Sequence, residues 1–285
     1  MTLIEANRVS FTYSDSPRQT LREITFSISS GELMGLIGPS GSGKTTLVKL
    51  LNGLYRPTGG RILFHGEDTG RRRFRLAELR RRVGLVFQYP EHQLFKKTVL
   101  EDVAFGPANM GSSRKEAQRV AREALSLVGL GPEFEDRPPL DLSGGEMRLA
   151  AIAGVLAMEP ELLILDEPAA GLDPAVKKRM LELLKTIRAQ TGTSVLLVSH
   201  SMEDIADYTD RVLVLSEGRL LFDSSPEQVF QQTEQMQKIG TGVPQITAVA
   251  ALLRRRGIPI ASLPVTVCEA VSCFTELLGE DCHAE

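Results

Sequence analysis

The sequence predicts an α/β fold with a largely parallel sheet, and three observations carry that prediction. Short apolar runs, LMGLIG, RVGLVF, LLILDE, SVLLVSH and RVLVLSEG, contain few polar positions, the pattern of strands buried on both faces. Segments with helical periodicity separate several of these runs, which supplies the crossovers that parallel strands require. The first run leads through the glycine loop GPSGSGKT into a helix over residues 44–51, a strand–loop–helix order suited to holding phosphate.

The elements follow in chain order. Met1 leads straight into the strand-like LIEANRVSFTY, without a charged and then apolar leader, so the chain is expected to stay in the cytosol. After the glycine loop and its helix comes RRRFRLAELRRR, residues 71–82. This run reads as a solvated helix face, with contact to phosphates or anionic lipid as the alternative. Between residues 98 and 158 the strand–helix alternation lapses into helix-rich sequence, which predicts an inserted helical subdomain. Within it Ser112 or Ser113 caps a helix that Gly129 ends.

LSGGEMRLAAIAG then places a serine and two glycines before an alanine-rich helical run, a second anion-seeking helix start in one chain. Helices are predicted over 174–190 and 201–208, on either side of SVLLVSH. Past GRLLFDSSPEQVF the sequence turns polar, which places a domain boundary near residue 236: residues 1–235 form the main domain and 236–285 an extension.

Composition narrows the function. A chain of 285 residues with 42% hydrophobic and 24% charged residues is ordinary globular material, long enough for a large core. A formal net charge of −3 argues against a broadly basic nucleic-acid binder. No run approaches the roughly 18 apolar residues of a membrane span. Cys268, Cys273 and Cys282 lack paired-ligand spacing and read as reduced thiols, with Cys282-His283 one possible metal donor pair.

The glycine loop matches G-x-x-x-x-G-K-[ST] over Gly38, Pro39, Ser40, Gly41, Ser42, Gly43, Lys44 and Thr45, followed by Thr46. Its glycines let backbone N–H groups curl around phosphate oxygens, Lys44 neutralises β/γ charge and the Thr45 hydroxyl reaches Mg²⁺, so the chain is expected to bind a nucleoside triphosphate such as ATP. LLILDEP ends an apolar strand in two adjacent carboxylates. Asp166 is expected to hold Mg²⁺ and Glu167 to act on the attacking water; read alone, the pair is also an ordinary strand end. Tyr13 offers a face for adenine or a strand-edge aromatic. Gln88 can bind Mg²⁺ and water without adding charge, His200 can donate to a γ-phosphate, and Asp173 can cap the helix that Pro174 opens.

Taken in order, GPSGSGKT, the glutamine in VFQYPEHQLF, LSGGE, LLILDEP, AGLD and LLVSH resemble the motifs of an ATP-binding-cassette (ABC) ATPase over roughly residues 1–230. The resemblance implies a P-loop NTPase fold with an inserted helical subdomain. It also implies two cassettes paired head to tail, with Ser143, Gly144 and Gly145 of each capping the nucleotide on the other. Tyr13 matches the adenine-stacking aromatic, Gln88 the sensing glutamine, His200 the switch histidine and Asp173 the loop that crosses the seam. Two departures stand out: Glu146 replaces the commoner glutamine, and AAGLD the commoner SALD.

Within that family FQYPEHQLF, TVLEDVAFGP and LSGGEMRLAAIAGVLAMEP resemble the ATPases of energy-coupling factor (ECF) transporters, and GVPQITAVAALLRRRGIPI resembles the C-terminal extension of their second ATPase type. This implies a peripheral subunit on the cytoplasmic face of the cell membrane. It would pair with a second ABC ATPase, its own copy or a related one, through an extension over 236–285. Its further partners would be a transmembrane coupling subunit and a membrane substrate-binding subunit that captures a vitamin or a metal ion, with no nucleic acid. A conventional importer fed by a soluble binding protein is the alternative, disfavoured by the YPEHQLF stretch and the short tail. Cassettes acting on DNA or ribosomes carry long coiled coils or two cassettes per chain, and neither occurs here. Leu94 and Phe95, apolar in a polar loop, form either a groove for the membrane partner or part of the chain's own packing.

Overall fold

The computed structural model describes residues 1–89 and 93–277, so Cys282 and His283, and Pro90 to His92 of the QYPEHQLF stretch, lie outside the described residues. Two sheets organise the chain. The larger has six strands in the order β10-β9-β3-β8-β7-β6: β3 (Leu33–Ile37), β6 (Val83–Val86), β7 (Leu162–Asp166), β8 (Ser194–Val198), β9 (Arg211–Ser216) and β10 (Arg219–Ser224). The five strands read from the apolar runs pair in parallel, and β10 closes the edge antiparallel to β9.

The five parallel strands are buried on both faces, and strict alternation assigns each side chain to one side. Leu33, Ile37, Leu163, Leu165, Val195, Leu197, Val212 and Val214 face one core. Met34, Leu36, Leu162, Ile164, Leu196, Val198, Leu213 and Leu215 face the other. Each such side chain taken fully out of water contributes about 1.5–3 kcal/mol, so the central sheet is the most heavily stabilised part of the molecule.

The first core is covered by helices. From the helix-rich region come α3 (Val99–Val103), α4 (Phe105–Asn109), α5 (Arg114–Leu127) and α6 (Gly144–Leu156), and after β7 come α7 (Pro174–Thr191) and α8 (Met202–Tyr208). Ser113, the second of the two expected caps, accepts from the Glu116 N–H, and Gly129, at φ +83°, follows the end of α5. Ser201 caps α8, so that helix starts one residue later than expected.

The second core lies beneath α1 (Lys44–Leu51), α2 (Leu76–Arg82) and a four-stranded antiparallel sheet, order β2-β1-β4-β5: β1 (Thr2–Thr12), β2 (Gln19–Ser29), β4 (Gly59–Phe64) and β5 (Glu67–Asp68). The first strand of this sheet was expected from LIEANRVSFTY, but its pairing into a sheet was not. The chain ends in α9 (Pro226–Phe230), α10 (Thr233–Lys238), α11 (Gln245–Arg255) and α12 (Val267–Leu277). Met236 and Val265 join the main core, while Ala250, Ile260 and Leu263 form a small cluster of their own.

Candidate active site

β3 delivers the chain to a loop whose backbone only glycine allows at two points. Gly38 has φ +152°, and a Cβ there would fall 2.0 Å from the Leu215 carbonyl; Gly43 has φ +107°, and a Cβ would meet Leu21 Cδ2 at 2.6 Å. Lys44 opens α1 nearly buried, its Nζ donating to the carbonyls of Gly38 at 2.7 Å and Pro39 at 3.1 Å. Its ammonium is thus held inside the loop. Burial lowers its pKa, and the charges of Glu167 and Asp166 oppose that shift. Ser42 Oγ is buried without a hydrogen-bond partner, while Ser40 and Gly41 are exposed at the loop's mouth.

Beyond the loop, the exposed Thr45 donates its hydroxyl to Asp166 Oδ2 at 3.1 Å. The buried Thr46 shares a 2.8 Å hydrogen bond with the Tyr13 hydroxyl, which fixes the tyrosine beside the start of α1. Phe11 and Tyr55 brace the Tyr13 ring in edge-on contacts, at centroid distances of 4.9 and 5.7 Å.

β7 ends at Asp166, and the next residue, Glu167, adopts φ +55°, a strained conformation for a side chain of this size. The Glu167 N–H donates to the Val198 carbonyl at the end of β8, which holds that turn. Its carboxylate is buried. Nε2 of His200 lies 3.3 Å from Glu167 Oε1, yet without hydrogen-bond alignment, so this oxygen has no hydrogen-bond partner. Burial, reinforced by the charge of Asp166, pushes the Glu167 carboxyl up to about 7, against the His200 backbone N–H and Lys44. Burial likewise raises Asp166 against the Thr45 hydrogen bond and Lys44, and it lowers His200.

Gln88, Glu167 and His200 line one cleft of about 450 Å³ with Lys177 and Asp204. Thr45, Asp166 and Gln88 offer hard oxygen donors of the kind Mg²⁺ takes. The unpartnered Glu167 oxygen and Ser42 hydroxyl fit the same reading, since each is a buried polar group awaiting a partner.

The second anion-seeking helix is α6. Ser143 caps it in a reciprocal box: its hydroxyl accepts from the Glu146 N–H at 3.3 Å and its N–H donates to Glu146 Oε2 at 2.7 Å. The departure at Glu146 therefore has a local structural use, and this contact holds its carboxyl below the usual range. A Cβ on Gly144 would meet nothing, and one on Gly145 would touch only Val176 of α7. Asp173 caps α7 by accepting from Ala175 and Val176 at 3.1 Å. No hydrogen bond joins Ser143, Gly144, Gly145 or Asp173 to residues 38–46 among the described residues.

Sequence reading missed three supports of this region. Arg148 of α6 donates to the Pro168 carbonyl next to Glu167, at 3.0 Å, and Lys177 pairs with Asp204 at 2.8 Å beside His200. A lone charge on a helix carries no sign of its partner, so only the fold reveals these contacts.

A carboxyl raised in the folded state favours folding only while it is protonated. The contribution of Glu167 is full below its ordinary value of 4.5 and is lost as pH rises through about 7. Glu167→Gln is thus expected to stabilise the nucleotide-free chain on the order of 2 kcal/mol at about pH 8 and by less than about 1 kcal/mol near pH 5. Denaturant unfolding at the two pH values checks this, and an equal gain at both would contradict it.

Comparison with known proteins gives the family. The ABC transporter family model matches residues 21–170. The energy-coupling factor transporter ATP-binding protein EcfA2 of Caldanaerobacter subterraneus subsp. tengcongensis is 46% identical over 270 residues, covering 94% of each chain. Among solved structures, cbiO1 of Clostridium perfringens, part of the ABC transporter complex cbiONQ, matches with TM-score 0.76 and 34% identity over 89% of this chain and 99% of that one. The dimeric cassette MJ0796, bound to ADP and Pi, matches with TM-score 0.71 and 27% identity over 79% of this chain and 99% of that one.

Proposed function

Because the chain belongs to the ABC transporter family and carries its ATPase cassette, we propose that it is the EcfA2-type ATP-hydrolysing subunit of an energy-coupling factor transporter. One observation supports the mechanism most: Lys44, Asp166, Glu167 and His200 gather at one site, while Ser143, Gly144 and Gly145 make no hydrogen bond to residues 38–46 among the described residues, and a Cβ on Gly144 would meet nothing. On this reading the signature helix serves a partner's phosphate loop, and two chains close head to tail over two ATP, as the likeness to a dimeric cassette supports.

Within each site Tyr13 stacks on adenine, the N–H groups of residues 38–46 wrap the phosphates, and Lys44 neutralises them. Thr45, Asp166 and Gln88 would hold Mg²⁺, which would supply further charge neutralisation. Glu167, when ionised, orients the attacking water and accepts its proton, and His200 donates to the γ-phosphate. Asp173 lies at the seam between the two chains. Closure and reopening drive a transmembrane coupling subunit and a membrane substrate-binding subunit that imports a vitamin or a metal ion. Residues 236–285 form a dimerisation extension, for which Val249, Leu252, Val267 and Val271 are exposed apolar residues on α11 and α12.

The docking of the membrane partner is tested at the loop before α3. Leu94 packs against the chain's own core, whereas Phe95 is 62% exposed and rests on Phe105. The two apolar residues of this loop therefore have different uses. Phe95→Asp is expected to leave melting temperature and ATP binding unchanged but to abolish co-purification with the transmembrane subunit, while Leu94→Asp lowers the melting temperature. Undiminished co-purification of Phe95→Asp would contradict the docking site.

A further inference from the structure

The arginine run has no use in the ATPase site, and the structure leaves it uncommitted. Residues 61–82 carry eight arginines against Glu67, Asp68 and Glu78, in a chain whose formal net charge is −3. Two of the arginines serve the fold: Arg80 donates to the Gly53 carbonyl and Arg82 pairs with Glu78 and Glu161. Arg71, Arg72, Arg73, Arg75 and Arg81 are exposed, and none has a hydrogen-bonding or ion-pairing side-chain partner among the described residues.

The segment is nonetheless fixed in place. Phe74 packs into the second core between Arg73 and Arg75, the Phe74 N–H donates to the Arg71 carbonyl, and Leu76 and Leu79 close against Gly53. The same contact brings up the loop after α1, with exposed Arg56 and the exposed apolar Leu54. A rigid, unpaired cationic surface with an apolar residue beside it is the chemistry of an anionic lipid surface: the arginines meet headgroup phosphates and the leucine tolerates the interface.

We propose that Arg71, Arg72, Arg73, Arg75 and Arg81, with Arg56 and Leu54, form a docking surface for a bilayer bearing anionic headgroups. The surface holds the ATPase against the membrane independently of its protein partners. This rests on the proposed function only in placing the chain beside a membrane, and ATP binding measured on the same samples reports on that function separately.

The test is co-sedimentation of the full chain with phosphatidylcholine vesicles, with and without about 30% phosphatidylglycerol. The wild-type chain is expected to pellet with the anionic vesicles only, and to be released when salt rises from about 0.1 M to 0.5 M. Arg71→Gln/Arg72→Gln/Arg73→Gln/Arg75→Gln is expected to bind ATP normally and to lose partitioning at least about a hundredfold, as each basic residue near the surface contributes roughly fivefold. The matching four Arg→Lys changes, which keep the charge, are expected to retain it. Equal pelleting of the glutamine variant, equal binding to neutral vesicles, or binding to RNA or an acidic peptide but not to anionic vesicles would overturn the proposal.

Discussion

Glu167→Gln is expected to bind ATP as the wild type does and to lose turnover by roughly 10²–10⁴-fold, the usual contribution of a positioned general base. The amide keeps the size and planarity of the carboxyl, so the φ +55° turn and the Val198 contact survive. What disappears is a base whose pKa, about 7 in the nucleotide-free chain, sits where proton transfer at neutral pH is most effective. A pair of chains locked around ATP should then accumulate, because closure needs binding alone and reopening needs hydrolysis. Steady-state phosphate release checks the first expectation and size-exclusion chromatography with Mg²⁺ and ATP the second. A wild-type rate would remove Glu167 from the chemistry.

Ser143→Arg should produce a loss of similar size without the locked pair. The isolated chain is expected to keep its ATP affinity, because neither Ser143 nor its cap partner Glu146 bonds to the phosphate loop. In the assembled complex an arginine at the start of α6 would occupy the space where the partner's γ-phosphate must be received, and hydrolysis should fall at least about a hundredfold. The lesion therefore acts in trans. Equilibrium ATP binding to the isolated chain, set beside the ATPase rate of the complex, separates it from a folding defect. The capping box also makes Ser143 a dual-purpose residue: its oxygen accepts from Glu146 while its own proton remains free for a phosphate.

The central sheet was legible because its strands carry almost no polar residue, which leaves a doubly buried position as their only reading, and all five pair as expected. The helix after the glycine loop was legible to the residue for a related reason: glycine before and lysine within fix both its start and its chemistry. The antiparallel sheet was harder. TLREITFSIS alternates with period two only from Ile24 on, its Arg22 and Glu23 interrupt the apolar signal, and the partners Phe26 and Ala6 lie twenty residues apart.

The site divided in the same way. Lys44, Thr45, Asp166 and Glu167 announce themselves by motif, and the structure sets Thr45 on Asp166 and both carboxylates beside Lys44. Arg148, Lys177 and Asp204 do not, because their meaning lies in contacts across 20 to 27 residues of sequence. Leu94 and Phe95 show the limit most plainly. Neighbours of like character separate into core and surface only once the backbone direction is known.

The central claim is that each ATP is held between two chains, by the phosphate loop of one and the signature helix of the other. Native mass spectrometry of the Glu167→Gln chain with Mg²⁺, ATP and a second ATPase chain, repeated with Ser143→Arg added to both chains, tests it most directly. The account predicts a pair carrying two ATP in the first case, and single chains each still carrying one ATP in the second. Loss of ATP from single chains bearing Ser143→Arg, or an ATP-bound pair that this change leaves intact, would contradict it.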